Sequence, residues 1–338
     1  MKKFLKIFLV IVVCLVAVLA VGITATIGWR PFIGPRSRPL TSRVFERTPE
    51  RLTRGKYLVE GVTPCMVCHS PHDWTKHDAP VVPGMEGAGQ DMSIIAGLPG
   101  QVVAPNLTPD PETGAGNWSD DALARAIREG IGHDGRTLFP MMPYQNFHDL
   151  QDEDLASIIV YLRTLPAVRN PLPASAIIFP VKYLIRSAPE PITSPIPAPD
   201  LSGQAKQGAY LVKMAGCADC HTPQAQGQPL AGMDFAGGQI FEGPWGKVAT
   251  SNLTPDPSGI PYYDEALFLQ TMRTGSVKAR SLNQIMPWHF FRNMTDDNLK
   301  AIFAYMKTLK PVKHLVDNTE PATLCKIDKT MHGGGDKN

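Results

Sequence analysis

Apolar positions along the chain fall into three patterns. The first is continuous: from Ile7 to Ile27 twenty-one apolar or small residues run without a charge, behind Lys2, Lys3 and Lys6. A run of that length crosses a bilayer core as one helix. Val18-Leu19-Ala20 is a passable cleavage site. The run nevertheless continues beyond Ala20 and ends at Trp29-Arg30, an interface pair. Residues 1–30 therefore read as an uncleaved anchor, with Cys14 a plain buried residue inside it.

The second pattern is amphipathic and helical. Arg51 to Val59 is a short amphipathic stretch. Ser119 or Asp120 can cap a helix through Ala122, Ala126 and Ile127 to Gly130, with a partner from about Asp264 to Thr274. A closing helix begins near Gln151-Asp152-Glu153 and puts Leu155, Ile158, Ile159 and Leu162 on one face. Its counterpart has Thr295 as N-cap and a stripe of Leu299, Ile302, Phe303 and Met306. No alternating strand pattern stands out, so the class is mainly α. The third pattern is punctuated by proline, from Pro166 to Pro199, where a regular helix cannot run. Its middle, Ile177 to Ile185, is too apolar for a free linker and is expected to lie against one or both neighbouring domains.

The helical stretches repeat. Gly55-Lys56-Tyr57-Leu58-Val59 returns as Gly208-Ala209-Tyr210-Leu211-Val212, and Cys65-Met66-Val67-Cys68-His69 as Cys217-Ala218-Asp219-Cys220-His221. Asn106-Leu107-Thr108-Pro109-Asp110 returns at Asn252, Met142-Pro143-Tyr144 as Met286-Pro287-Trp288, and Tyr161-Leu162-Arg163-Thr164-Leu165 as Tyr305-Met306-Lys307-Thr308-Leu309. All five keep their order, which marks a duplicated domain. The plan is an anchor (1–30), a linker (31–50), domain 1 (51–168), a connector (169–199), domain 2 (200–315) and a C-terminal tail (316–338).

Composition agrees with this plan. A chain of 338 residues is long for one small domain, and 32 prolines with 29 glycines point to wrapping loops between few helices. The net charge of +2 implies no nucleic-acid partner. Residues 51–168 carry −7 against +2 for 200–315, an acidic block that keeps the domain soluble or docks a basic partner.

Cys-x-x-Cys-His, present twice, is the attachment signature of c-type haem. Thiols of Cys65 and Cys68, and of Cys217 and Cys220, can reach the two vinyl groups of one porphyrin each. His69 and His221 then lie under the irons. A zinc site would draw both cysteine pairs around one ion, yet each copy has its own complete set of flanking motifs. A thioredoxin-like pair needs a βαβ setting that is absent here. A second axial ligand should itself be duplicated. His72, His77, His133, His148, His289, His314 and His332 fail that test. Met142 and Met286 pass it, whereas Met141 aligns with Ile285. Thioether ligation raises the potential relative to bis-histidine. Each ligating histidine also needs an acceptor for its other N–H; Pro105 before Asn106-Leu107 resembles the Pro-Asn-Leu loop that supplies such a carbonyl in small cytochromes c, and the second copy has Ser251 in its place.

Both halves resemble class I cytochrome c domains, and residues 51 to 312 resemble the mono- and dihaem cytochrome c family, which includes membrane-bound cytochrome subunits of bacterial alcohol and gluconate dehydrogenases. The wording shared with that family includes Ala-Asp-Cys-His-Thr-Pro around His221, Gly116-Asn117-Trp118-Ser119-Asp120 and Val168-Arg169-Asn170-Pro171. Those subunits commonly carry three haems, and this chain has two attachment sites. The resemblance implies two haem c groups and an electron carrier, not an enzyme, between a dehydrogenase or quinol-oxidising complex and an oxidase or soluble carrier. A dihaem peroxidase, a thiosulfate-oxidising cytochrome and a haem-wire subunit of a larger complex are the alternatives. Haem attachment outside the cytoplasm sets the orientation: a single-pass protein of the inner membrane with both domains on the periplasmic side. Cys325 is expected to be a solvent-exposed thiol in the tail, and the extra residues of copy one around Trp74 and His77 a simple insertion.

Overall fold

The computed structural model describes residues 2–334, so Met1 and the last four residues of the tail, 335–338, lie outside the described residues. Helix α1, Lys2–Thr26, has no buried residue. Cys14, expected to be buried, is exposed on it, because α1 packs against no other part of the protein. Beyond α1 the segment expected as a linker is fastened down. Arg38 forks onto Asp121 at 2.7 and 2.8 Å and reaches Glu129 at 2.8 Å, while the Thr41 N–H donates to Asp121 at 2.6 Å.

The two copies of the repeat build the same arrangement. In the first, α2 (Pro49–Tyr57) runs into a π turn (Leu58–Val62), followed by α3 (Asp120–Glu129) and α4 (Asp152–Leu162). In the second, α5 (Gln204–Met214), α6 (Glu265–Thr274) and α7 (Asp296–Met306) take the corresponding places. The caps are those legible in the sequence: the Ser119 hydroxyl accepts from the Ala122 N–H, and Thr295 from that of Asn298. Helix α2 begins earlier than its apolar pattern, because Thr48 caps it and Pro49 suits its first turn. Strands are short, and the longest, β1 (Ile240–Gly243) and β2 (Gly246–Ala249), form one hairpin.

Two of the repeated motifs exist to meet one another. Helix α2 crosses α4 where a Cβ on Gly55 would stand 2.0 Å from the Ser157 carbonyl oxygen and 2.7 Å from Tyr161 Cβ. Helix α5 crosses α7 where Gly208 would meet the Ala301 oxygen at 1.9 Å and Tyr305 Cβ at 2.8 Å. Only glycine lets the helix backbones approach this closely, which is why Gly55 and Tyr161 repeat together as Gly208 and Tyr305.

One apolar core runs through both halves, from Leu58, Val59 and Ile159 to Leu211, Leu299 and Ile302. Their contact is reciprocal: the turn Tyr144–Phe147 packs on α5, and Trp288–Phe291 packs on the Leu58–Val62 turn. Tyr210 donates to Asp154 across the boundary at 2.9 Å, Asn146 to Asp219 at 2.7 Å and Asn293 to the Glu60 carbonyl at 2.8 Å.

The residues read as an insertion have a packing role. The Trp74 ring lies 4.7 Å from that of Trp245, His72 packs on Phe290 at 6.0 Å, and His77 on Trp288 at 5.5 Å. Gln284 closes the patch by donating to the Trp74 carbonyl at 3.2 Å. This loop of the first copy therefore clasps the second.

The apolar middle of the connector also lies down, against the first copy. Ala176–Ile177 pairs with Gly100–Gln101, and the helical turn Val181–Leu184 packs on Arg30–Ile33 just beyond α1. The tail departs from expectation. Residues 317–334 fold onto the second copy through a hairpin of β3 (Ala322–Leu324) and β4 (Met331–Gly333), with Asn318 bonded to both backbone groups of Ala249. Cys325, expected to be exposed, is fully buried.

Candidate haem-binding site

Each Cys-x-x-Cys-His segment forms a single helical turn, Cys65–Cys68 and Cys217–His221. That geometry sets both thiols of a pair on one side of the turn with the histidine directly after them. All four cysteines are free thiols. Burial pushes Cys68 up to about 11 and both Cys217 and Cys220 up to about 12, with neighbouring negative charge adding to it. Thiols this weakly acidic do not suit a disulfide-exchange pair, which needs a thiolate near neutral pH.

The two histidines are held alike. His69 Nδ1 lies 2.7 Å from the Pro105 carbonyl oxygen, and His221 Nδ1 lies 2.7 Å from that of Ser251. A carbonyl can only accept, so Nδ1 carries the proton in both and Nε2 presents its lone pair. Desolvation lowers both histidines below their ordinary range, outweighing the opposing backbone hydrogen bond. Both are neutral imidazoles at physiological pH, the form that binds iron.

The loop that supplies those carbonyls is built by the Asn-Leu-Thr-Pro-Asp motif. Asn106 Oδ1 accepts from the Thr108 N–H at 2.9 Å and its hydroxyl at 2.7 Å, while Asn106 Nδ2 donates to the Val168 carbonyl at 2.7 Å. In the second copy Asn252 binds Thr254 at 2.9 and 2.8 Å and Val312 at 2.9 Å. The motif thus ties the histidine's acceptor loop to the chain just beyond the closing helix. Replacing Pro105 by Ser251 leaves the acceptor in place.

Met142 and Met286 are half-buried, pack against the core, and each ends a turn closed from the preceding loop, Met142 N–H to Phe139 at 3.0 Å and Met286 N–H to Asn283 at 3.1 Å. The aromatic residue after each Met-Pro is seated on the glycine that ends the preceding helix. A Cβ on Gly130 would lie 2.6 Å from the Tyr144 ring, and one on Gly275 would lie 2.2 Å from the Trp288 ring. Both glycines also have positive φ, 70° and 67°, so position and conformation demand glycine together.

The donor set suits covalently held haem: paired thiols, a tautomer-locked histidine and a methionine in each copy. Buried Tyr144 Oη, Trp245 Nε1 and Trp288 Nε1 have no protein partner, and carboxylate-bearing groups such as haem propionates would satisfy such donors. Among the seven histidines set aside on the sequence, His72 is held between the Ala79 and Met66 carbonyls at 2.6 and 3.2 Å, while burial beside His72 drops His289 to about 4. His314 and His332 belong to a separate cluster with Cys325, which sequence reading missed because it has no repeat in the first copy.

Comparison with known proteins gives the same direction. The chain is 33% identical over 264 residues to a nicotinate dehydrogenase subunit from Pseudomonas putida, covering 74% of this chain and 20% of that protein. It is 27% identical to the cytochrome c subunit of a quinone-linked alcohol dehydrogenase from Gluconacetobacter polyoxogenes, covering 81% and 60%. With a dihaem c-type cytochrome of Cereibacter sphaeroides it shares 26% identity, covering 74% and 83%. It thus spans a fifth to three-fifths of the two dehydrogenase relatives. The cytochrome c family model matches twice, at residues 52–166 and 205–310, once across each set of thiols, histidine and methionine described above, and the chain belongs to the cytochrome c family.

Proposed function

We propose that this chain is a membrane-anchored dihaem cytochrome that moves electrons and transforms no substrate of its own. It is organised as two tandem class I domains, 51–168 and 200–315, behind the anchor of residues 1–30. The linker of 31–50, the connector of 169–199 and the tail of 316–338 complete it. In this reading Cys65 and Cys68 would hold one haem c, with His69 and Met142 as the ligands to its iron. Cys217 and Cys220 hold the other with His221 and Met286. The observation that carries the reading is the duplicated histidine, in each copy fixed by a 2.7 Å bond to a loop carbonyl that leaves Nε2 free for iron.

Bound haem c supplies one-electron iron redox chemistry, tuned by its axial ligands and surroundings. The residues of this chain hold, orient and dry the two sites. The four cysteines of the two Cys-x-x-Cys-His segments would fix each haem's position. The Pro105 and Ser251 carbonyls fix the imidazole planes and raise ligand basicity. The shared core joins the two sites, and Asn146, beside the Met142-Pro143 turn, donates to Asp219 of the second Cys-x-x-Cys-His segment at 2.7 Å. That proximity favours passage of electrons between the halves.

Helix α1 fits a single span of the inner membrane, with both domains on the periplasmic side. Phe32, Ile33, Ile178 and Phe179 are exposed and belong to the packed segments at its end, where a membrane interface would cover them. The electron donor is a dehydrogenase or quinol-oxidising complex, in line with the dehydrogenase subunits among the relatives, and the acceptor is an oxidase or soluble carrier.

The test is ligand competition on the purified ferric protein. Cyanide at low concentration is expected to bind neither iron. Met142→Ala and Met286→Ala should each open one haem to it and lower that haem's potential. Ready cyanide binding by the unaltered protein would favour a dihaem peroxidase-like enzyme instead.

A further inference from the structure

The second copy carries a cluster that the first lacks. His314 follows the closing helix, Cys325 and Asp328 lie in the loop between β3 and β4, and His332 sits on β4; all four are buried. One ligand atom from each lies within 4.8 Å of every other. His314 Nε2 is 3.3 Å from Cys325 Sγ and 3.5 Å from Asp328 Oδ2, and His332 Nε2 is 3.1 Å from the same oxygen. A tetrahedral zinc shell with bonds of about 2.0–2.3 Å sets its ligands about 3.3–3.8 Å apart.

The remaining atoms of these side chains are engaged from behind. His314 Nδ1 donates to the Ala236 carbonyl at 3.0 Å, and His332 Nδ1 to that of Gly333 at 3.2 Å. Both Nε2 atoms therefore face inward. Asp328 Oδ1 is occupied by the Thr330 N–H at 3.0 Å and hydroxyl at 2.9 Å, which leaves Oδ2 inward. The Ile327 N–H donates to Cys325 Sγ at 3.4 Å. Without a metal ion between them, His332 Nε2 would have to carry a proton to meet Asp328 Oδ2 at 3.1 Å. These outer contacts are what orient metal ligands.

The duplication separates what the fold needs from what is extra. At the place of His314 the first copy has Asn170, whose Nδ2 donates to the Ala88 carbonyl at 2.9 Å and whose N–H donates to the Thr113 hydroxyl at 2.9 Å. His314 makes the same two bonds, to Ala236 at 3.0 Å and Ser258 at 2.9 Å. Asparagine suffices for that task. The imidazole adds only Nε2, and Nε2 points at the cysteine and the aspartate.

We propose that His314, Cys325, Asp328 and His332 form a closed structural site for one zinc ion, independent of the haem irons. Two neutral imidazoles, a thiolate and a carboxylate balance a divalent charge, as burial requires. The tail hairpin is thereby riveted to the loop behind His221. Gly238 lies under the site, where a Cβ would stand 2.3 Å from Asp328 Oδ2, and neighbouring Gly237 donates to the His221 carbonyl at 2.8 Å.

The experiment is metal analysis of the full-length holoprotein purified from membranes without chelator. One zinc is expected for each pair of haem irons, with X-ray absorption at the zinc edge reading one sulfur and three nitrogen or oxygen neighbours. His314→Asn restores the first copy's residue and should fold with both haems while losing the zinc; Cys325→Ser should lose it likewise. Protein that contains iron alone and takes up no added Zn²⁺ would overturn the site, leaving a thiol and an imidazolium in its place. Zinc retained by both variants, or copper found instead, would overturn it equally.

Discussion

At the scale of single residues, Asp154 shows how the halves are joined. It binds Arg54 of its own copy at 2.7 Å and receives Tyr210 of the other at 2.9 Å. Desolvation works against its charge, but the Arg54 guanidinium outweighs it and holds the carboxyl below the usual range. A carboxylate with a depressed folded-state pKa adds stability above its unfolded value, and that stability fades as acid protonates it. Asp154→Asn should cost about 2 kcal/mol at pH 7, and the gap to the unaltered protein should close below about pH 4. Urea unfolding across that range checks it. The proposed ligands were picked out at this scale because duplication filters residues: Met142 and Met286 recur, and the lone histidines do not. The same filter hid Cys325 and its neighbours, since a feature confined to one copy looks like tail composition until the hairpin folds.

At the scale of elements, helix caps and apolar stripes placed α3, α4, α6 and α7 to within a residue or two. What the pattern could not give was the crossing of α2 over α4 and of α5 over α7, since periodicity states which face is buried and not against what. The repeated glycines were visible, but their reason lies in carbonyls about a hundred residues away. Gly55→Ala and Gly208→Ala should each cost about 1–3 kcal/mol by forcing the helices apart, read as loss of thermal stability with haem still attached. Gly22, where a Cβ meets nothing within 4 Å, provides the control position for alanine.

At the scale of the molecule, two similar copies become one body through a common core and an aromatic clasp. The residues around Trp74 read as an insertion in sequence; their meaning depended on Trp245 and Phe290, far along the chain. Trp74→Ala should lower stability by about 1–2 kcal/mol and slow electron equilibration between the halves, seen after rapid reduction of one haem, while haem content stays unchanged. Whether the chain is a dihaem cytochrome at all is read most directly from the mass of the intact protein exported in a strain that matures c-type cytochromes. The expected mass is that of the polypeptide plus two covalently bound haems, falling to one haem when Cys65 and Cys68 are both replaced by alanine. A colourless protein, or a mass carrying a single haem before any substitution, would contradict it.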